Sequence, residues 1–270
     1  MNKQEIGSIT AKSGFKNEHL VASKFNDYNR DDEAKIWLKY MGYDVEKIEE
    51  VKAVYIPPSI KKTKDYLGIS LEDLIENVNY KKADIQVQIE IKIDSIIYRE
   101  HVSIKKVTPK SNFNQIDKRK VDKYKEMWDI PDDITLLLKY FTGEVKDRPD
   151  IKKRKNVEYS IEDREKIEMF LNKNKIKILS DILRGRGGFA AEYMIVSEYD
   201  VEGGIQHYMI NVIDILNKLN NLEFIMNPNK TTISLGDKSI VSIQRKGGTP
   251  DPESLQFKFK PLYVKEILKK

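Results

Sequence analysis

The stretch KADIQVQIEIKIDSIIYREHVSIKKV, Lys82 to Val107, decides how the chain is read. Two runs alternate apolar and polar residues and are rich in β-branched side chains, the period-two signature of strands in a sheet. A short turn near Asp94–Ile97 joins them into a hairpin. Alternation then sorts the second strand: Ser103 and Lys105 share one face, while Ile104 enters the core from the other. Antiparallel strands return to where they began, so Asp84, opening the first strand, is expected beside Ser103 and Lys105 at the end of the second.

A carboxylate and an ammonium meeting at one sheet end suit metal-assisted phosphodiester hydrolysis. The carboxylate holds a divalent cation, the cation polarises the phosphate and acidifies a water, and the lysine orients or activates that water. The constellation resembles the PD-(D/E)xK nuclease core, with Asp84 as first acid and Lys105 as lysine. It departs from that pattern at Ser103, a neutral and weaker metal ligand than the usual acid. Glu90-Ile91-Lys92 is a literal ExK, but Glu90 lies six residues from Asp84 along one strand, roughly 20 Å at the strand rise. Glu90 and Lys92 are therefore read as a solvent face.

Composition narrows the chemistry. The chain has 270 residues, long enough for one elaborated domain or two lobes, with 40% hydrophobic and 34% charged residues. No apolar run is long enough for a membrane span and the N-terminus MNKQEIGSIT is polar, so a cytoplasmic protein is expected. There is no cysteine, and His19, His101 and His207 are scattered, which excludes disulfides and thiolate or His-rich zinc sites. Oxygen ligands remain, favouring Mg2+. The net charge is only +5, yet KKTK, KKVTPK, DKRKVDK, KKRK and LRGRG are local basic runs. A polyanion is the natural partner for them.

Outward from the hairpin, helices are expected at Gln4–Asn26 with a break near Gly14, at Asp32–Met41, Gln115–Trp128, Asp132–Tyr140, Ser160–Lys173 and Asn211–Leu219. Strands are expected at VKAVYI, KIKIL, AAEYMIVSEY, TTISL, SIVSIQR and LQFKFK. Pro57–Lys81 reads as an insertion, and GEVKDRPDIKKRKN as a charged linker. This divides the chain into 1–145, with the N-terminal helices and hairpin, and 146–270, with the remaining helices, strands and loops. The fold class is α/β (α+β): a mixed central sheet flanked by helices, with an additional C-terminal β-rich region.

Four longer strings are more specific than any three-residue motif. SGFKNEHLVASKF (Ser13–Phe25), FNQIDK with YKEMW (Phe113–Trp128), DILRGRGGFAAEY (Asp181–Tyr193) and SIQRKGG with LQFKFKP (Ser242–Pro261) resemble the HinP-type type II restriction endonucleases, which cut GCGC. The resemblance implies a Mg2+-dependent endonuclease hydrolysing double-stranded DNA within GCGC on a PD-(D/E)xK fold. It implies Asp84 and Ser103 at the metal, Lys105 as catalytic lysine and Glu18 as a further acid from the first helix. A methyltransferase is implied as functional companion, and a palindromic site invites a homodimer.

For readout, guanine offers O6 and N7 as paired acceptors, which basic side chains match. Gln244, Arg245 and Lys246, followed by Gly247-Gly248, are the first choice, with Arg184 and Arg186 reading guanine or clamping phosphate. Phe113, with Asn114 and Gln115 in a polar setting beyond Lys105, is expected as a wedge between base pairs, as the family distorts DNA. Lys12, Lys16 and Asn17 are expected at the backbone or minor groove. Two alternatives stay open: a DNA-binding protein weakened in catalysis through Ser103, and a structure-specific nuclease of the same fold.

Overall fold

The computed structural model describes residues 17–56, 86–109, 113–145, 156–246 and 253–268. Asp84, the Pro57–Lys81 segment, most of the charged linker, Lys12 and Lys16 lie outside them. The chain divides into two compact units, one of residues 1–111 and 184–212, the other of 112–183 and 213–270.

The first unit is built on the hairpin. Strands β2 (Gln86–Ile93) and β3 (Ile96–Val107) are joined by Asp94 and Ser95, whose φ values of 48° and 65° are both left-handed. Such a two-residue turn matches the natural strand twist and sets the register, which pairs Ile93 with Ile96 and Gln86 with Ser103. Strand β1 (Glu50–Ile56) flanks β2 antiparallel. On its other side β3 runs parallel to a later strand, β5 (Tyr193–Tyr199), itself paired antiparallel with β6 (Ile205–Asn211). The sheet is thus mixed, in the order β1-β2-β3-β5-β6. A parallel neighbour cannot follow through a tight turn. Here the return from Val107 to Tyr193 contains much of the second unit.

Two helices cover one face of this sheet. Val21 and Phe25 from α1 (17–26), and Ala34, Trp37 and Leu38 from α2 (Asp32–Tyr40), form one core with Val87, Ile89, Ile91, Val102, Ile104 and Ile195. Helix α2 starts where the Asp31 carboxylate accepts from the Ala34 amide at 2.9 Å, and Asp32 and Glu33 in its first turn suit the positive end of the helix dipole. Ile104 reaches this core as alternation requires.

The second unit has an antiparallel sheet in the order β4-β10-β9-β8-β7, from β4 (Asn114–Arg119), β7 (Phe224–Ile225), β8 (Ile233–Leu235), β9 (Val241–Lys246) and β10 (Ser254–Phe259). Its helices are α3 (Val121–Trp128), α4 (Asp132–Thr142), α5 (Ile161–Lys173), α6 (Lys175–Leu183), α7 (Val212–Asn220, from Ile213 onward) and α8 (Pro261–Leu268). The sheet presents Phe257 to α3, where it meets the rings of Tyr124 and Trp128 edge-on at 5.3 and 5.6 Å. Helix α5 is capped by Ser160, whose hydroxyl accepts from the Asp163 amide at 3.0 Å. Among the described residues no helix is long and apolar enough to cross a membrane.

Two expected elements are corrected. Gln115–Arg119 is strand rather than the start of a helix, because β10 offers it a backbone ladder that no local pattern reveals. KIKIL is the start of α6, not a strand: Ile178, Leu179, Ile182 and Leu183 are buried at helical spacing while Ile176 is half exposed. Five residues were too few to separate the two periods. Strand β6 has no counterpart among the expected elements.

Candidate active site and DNA-reading residues

Strand β3 changes character along its length. Residues 96–99 are exposed, whereas 102–105, with side chains on both faces, are buried along the stretch where β3 pairs with β5. Ser103 and Lys105 lie in that buried half, at 0% and 2% exposure, on the face opposite Ile104. The register puts Gln88 and His101 on the same face, and Glu90, still further along, bonds Arg99 at 2.8 Å. Lys92 pairs with Glu49 at 2.7 Å on the surface. The literal ExK is thus spent on surface-side ion pairs.

The described donors alone do not fit a magnesium ion: Ser103 offers one neutral oxygen and Lys105 none, and among the described residues no group of three His, Asp or Glu is placed to hold a metal. A carboxylate must complete any such site.

His101 was not singled out by sequence. Burial pushes its pKa down to about 4, so the folded chain carries it neutral where the unfolded chain begins to protonate near pH 6.5. The unfolded state therefore binds the extra proton between those values. Stability is complete above pH 6.5 and falls as pH drops towards 4, by at most about 1.4 kcal/mol per unit. Urea titrations across this range should show a shallower acid limb in His101→Gln; an unchanged slope would refute the assignment.

Helix α1 places its candidates on the other face. Lys106 pairs in register with Ser197, and its ammonium lies 4.0 Å from the Tyr199 ring. Burial lowers the Lys106 pKa while the Glu18 charge opposes that shift, and burial together with Glu18 raises that of Tyr199. Glu18, itself buried, thus acts on the Lys106 side of the sheet, and alternation separates it from Lys105. Asn17 is a correction. It is 1% exposed, its amide donates to Ser197 Oγ at 3.0 Å, and its carbonyl accepts from Tyr199 Oη at 3.0 Å, so it anchors the helix and is not presented to DNA.

Arg184 and Arg186 sit in a loop whose glycines require their freedom: Gly185 and Gly187 have φ of 86° and 60°. The loop closes through the Ala191 amide onto the Arg184 carbonyl at 2.8 Å. The Arg184 guanidinium forks onto the Glu192 carboxylate, which fixes its plane and neutralises much of its charge. Arg186 is half-buried in the same loop. In the second unit, Lys260 lies 4.6 Å from the Phe113 ring, which is only partly exposed. Asn114 and Gln115 begin β4. Gln244, Arg245 and Lys246 end β9, with Gln244 and Lys246 on one face and exposed Arg245 on the other; Gly247-Gly248 lie outside the described residues. Sequence reasoning missed Gln256, which pairs in register with Gln244 and donates to Gln115. Its alternation within LQFKF was the available signal.

The family described as R.HinP1I restriction endonuclease matches residues 68–264. The match takes in three of the four strings quoted above, begins inside the supposed insertion and leaves out the N-terminal helix. A crystal structure of restriction endonuclease MspI in complex with its cognate DNA superposes with a TM-score of 0.58 at 11% identity, covering 96% of this chain and 93% of that one. No curated protein matches at the significance required. The MspI likeness shows the fold, a mixed sheet flanked by helices. The family match spans well over half the sequence, and the chain belongs to the R.HinP1I restriction endonuclease family, as a type II site-specific nuclease.

Proposed function

We propose that this enzyme hydrolyses double-stranded DNA within the palindrome GCGC, using Mg2+ and a PD-(D/E)xK site in which Asp84 is the metal-binding carboxylate, Ser103 a neutral metal-side oxygen and Lys105 the catalytic cation. The observation that carries this is the placement of Ser103 and Lys105 on one face of a buried central strand, with β2 beginning at Gln86 directly across from Ser103. Asp84 precedes Gln86 by two residues in sequence. Mg2+, when bound, supplies Lewis-acid stabilisation of the phosphate. Lys105 contributes a positive charge in a water-poor setting, where it acts on a phosphate oxygen or an attacking water more strongly than at the surface. Glu18 is proposed as a supporting acid acting through Lys106 rather than as a partner of Lys105.

Base reading is assigned to Gln244, Arg245 and Lys246 with Gln115, phosphate or guanine contact to Arg184, Arg186, Lys12 and Lys16, and DNA distortion to Phe113 and Asn114. Alternation divides the β9 trio, so Arg245 and Gln244 meet different parts of the duplex. Arg245→Ala is expected to weaken binding to the cognate duplex about tenfold or more while leaving random-sequence binding nearly unchanged. Equal losses on both duplexes would make Arg245 a phosphate contact. The enzyme is proposed to act in the cytoplasm beside a methyltransferase that protects host sites. The twofold symmetry of GCGC is met either by a homodimer or by a monomer nicking each strand in turn; transient nicked circles in a plasmid digest favour the second.

The decisive experiment is digestion of plasmid DNA with Mg2+ and mapping of fragment ends. Discrete ends within GCGC support the proposal. Tight binding without scission would establish a DNA-binding protein weakened at Ser103, and cutting only at junctions or flaps a structure-specific nuclease.

A further inference from the structure

The face of the second sheet turned away from Phe257 carries polar side chains. The register sets Gln256 opposite Gln244, and Lys258 between Ser242 and Gln115. Between Phe257 and Lys258 the pairing of β10 with β4 shifts, leaving Ile116 as the extra residue. In a regular strand Gln115 and Asp117, two apart, would share a face. The bulge separates them. Asp117 stays on the core side, where Tyr124 donates to it at 2.6 Å and Arg119 at 3.0 Å, while Gln115 turns to the polar side. There the Gln256 amide nitrogen donates to the Gln115 carbonyl oxygen. Gln256 is 7% exposed and Gln115 is exposed, so one amide belongs to the framework and the other faces outward.

A glutamine amide offers a donor at one end and an acceptor at the other, and rotation about its last torsion exchanges them. In the arrangement seen, the bond from Gln256 occupies the carbonyl end. We propose that Gln256 is a positioning residue for base recognition, holding Gln115 so that its amino group is presented to the DNA. Gln115 then selects a base edge that accepts, such as guanine O6 or N7, over one that donates, such as cytosine N4. This rests on the assignment of Gln115 to base reading made above.

The test compares cleavage rates of the full-length enzyme and its Gln256→Leu, Gln256→Glu, Gln115→Ala and double Gln115→Ala/Gln256→Leu variants. The substrates are its own cleavage site in a duplex and the set of duplexes with each single base pair replaced. Gln256→Leu is expected to lower discrimination about tenfold at one position, the same position that Gln115→Ala affects, and to add nothing in the Gln115→Ala background. Gln256→Glu keeps the size but accepts where glutamine donates, so it should turn the Gln115 amide over and move preference towards a donating base edge. A purely structural role predicts no such shift. Unaltered discrimination in both Gln256 variants, with Gln115→Ala impaired, would overturn the positioning role alone. Full discrimination in Gln115→Ala would remove Gln115 from base reading, and this inference with it. If Gln256→Leu melts well below the parent, Gln256→Glu decides the matter.

Discussion

Replacing Lys105 with alanine is expected to lower the cleavage rate by about 10²–10³-fold, while affinity for the uncut duplex is nearly preserved. The reason is its place: a lysine at 2% exposure, beside Ser103 on the face of β3 opposite Ile104, makes only a small share of the phosphate contacts that set affinity. Its charge matters most where negative charge develops during hydrolysis, because little water is present to screen it. Asp84→Ala should have the same signature, low rate with retained binding. Single-turnover cleavage and gel-shift titration on one duplex separate the two quantities. Normal cleavage in Lys105→Ala would remove this face of the sheet from the chemistry, and normal cleavage in Asp84→Ala would remove the metal assignment.

The second large effect concerns stability. Trp128→Ala is expected to destabilise the protein by about 3–5 kcal/mol, the range for emptying a large aromatic from a packed core. Trp128 is 2% exposed and stacked on Tyr124 at 4.5 Å with an 18° angle between rings. It meets Phe257 edge-on, and its indole nitrogen donates to Asp181 at 2.8 Å. It therefore joins α3, β10 and α6. Trp128→Phe keeps much of the apolar contact and loses the donor to a buried carboxylate, so a smaller loss of about 1–3 kcal/mol is expected. Urea unfolding monitored by circular dichroism measures both, and a loss below about 1 kcal/mol for the alanine variant would contradict the packing described.

The functional core was legible to different depths. Alternation in Lys82–Val107 was enough to place the hairpin, its turn, the shared face of Ser103 and Lys105, and the inward course of Ile104, because period two is enforced by strand geometry alone. Helices with side-chain N-caps, such as Asp32–Tyr40 and Ile161–Lys173, were equally open to reading. The strings shared with the HinP-type enzymes pointed to the family that the comparison then showed.

What only the tertiary structure decided were matters of pairing between distant segments. Gln115–Arg119 is a strand because β10, more than a hundred residues away in sequence, supplies its hydrogen bonds. Asn17 is an internal anchor because β5 brings Ser197 and Tyr199 to it, and Glu18 falls on the Lys106 side because α1 packs on the face opposite Lys105. The bulge at Ile116 that turns Gln115 towards Gln256 has no local mark at all. Sequence by itself determined which side chains alternate, since steric period is a property of each residue and its neighbours. Which alternate face meets which partner depended on long-range backbone pairing, whose energy resides in two segments at once and in neither alone.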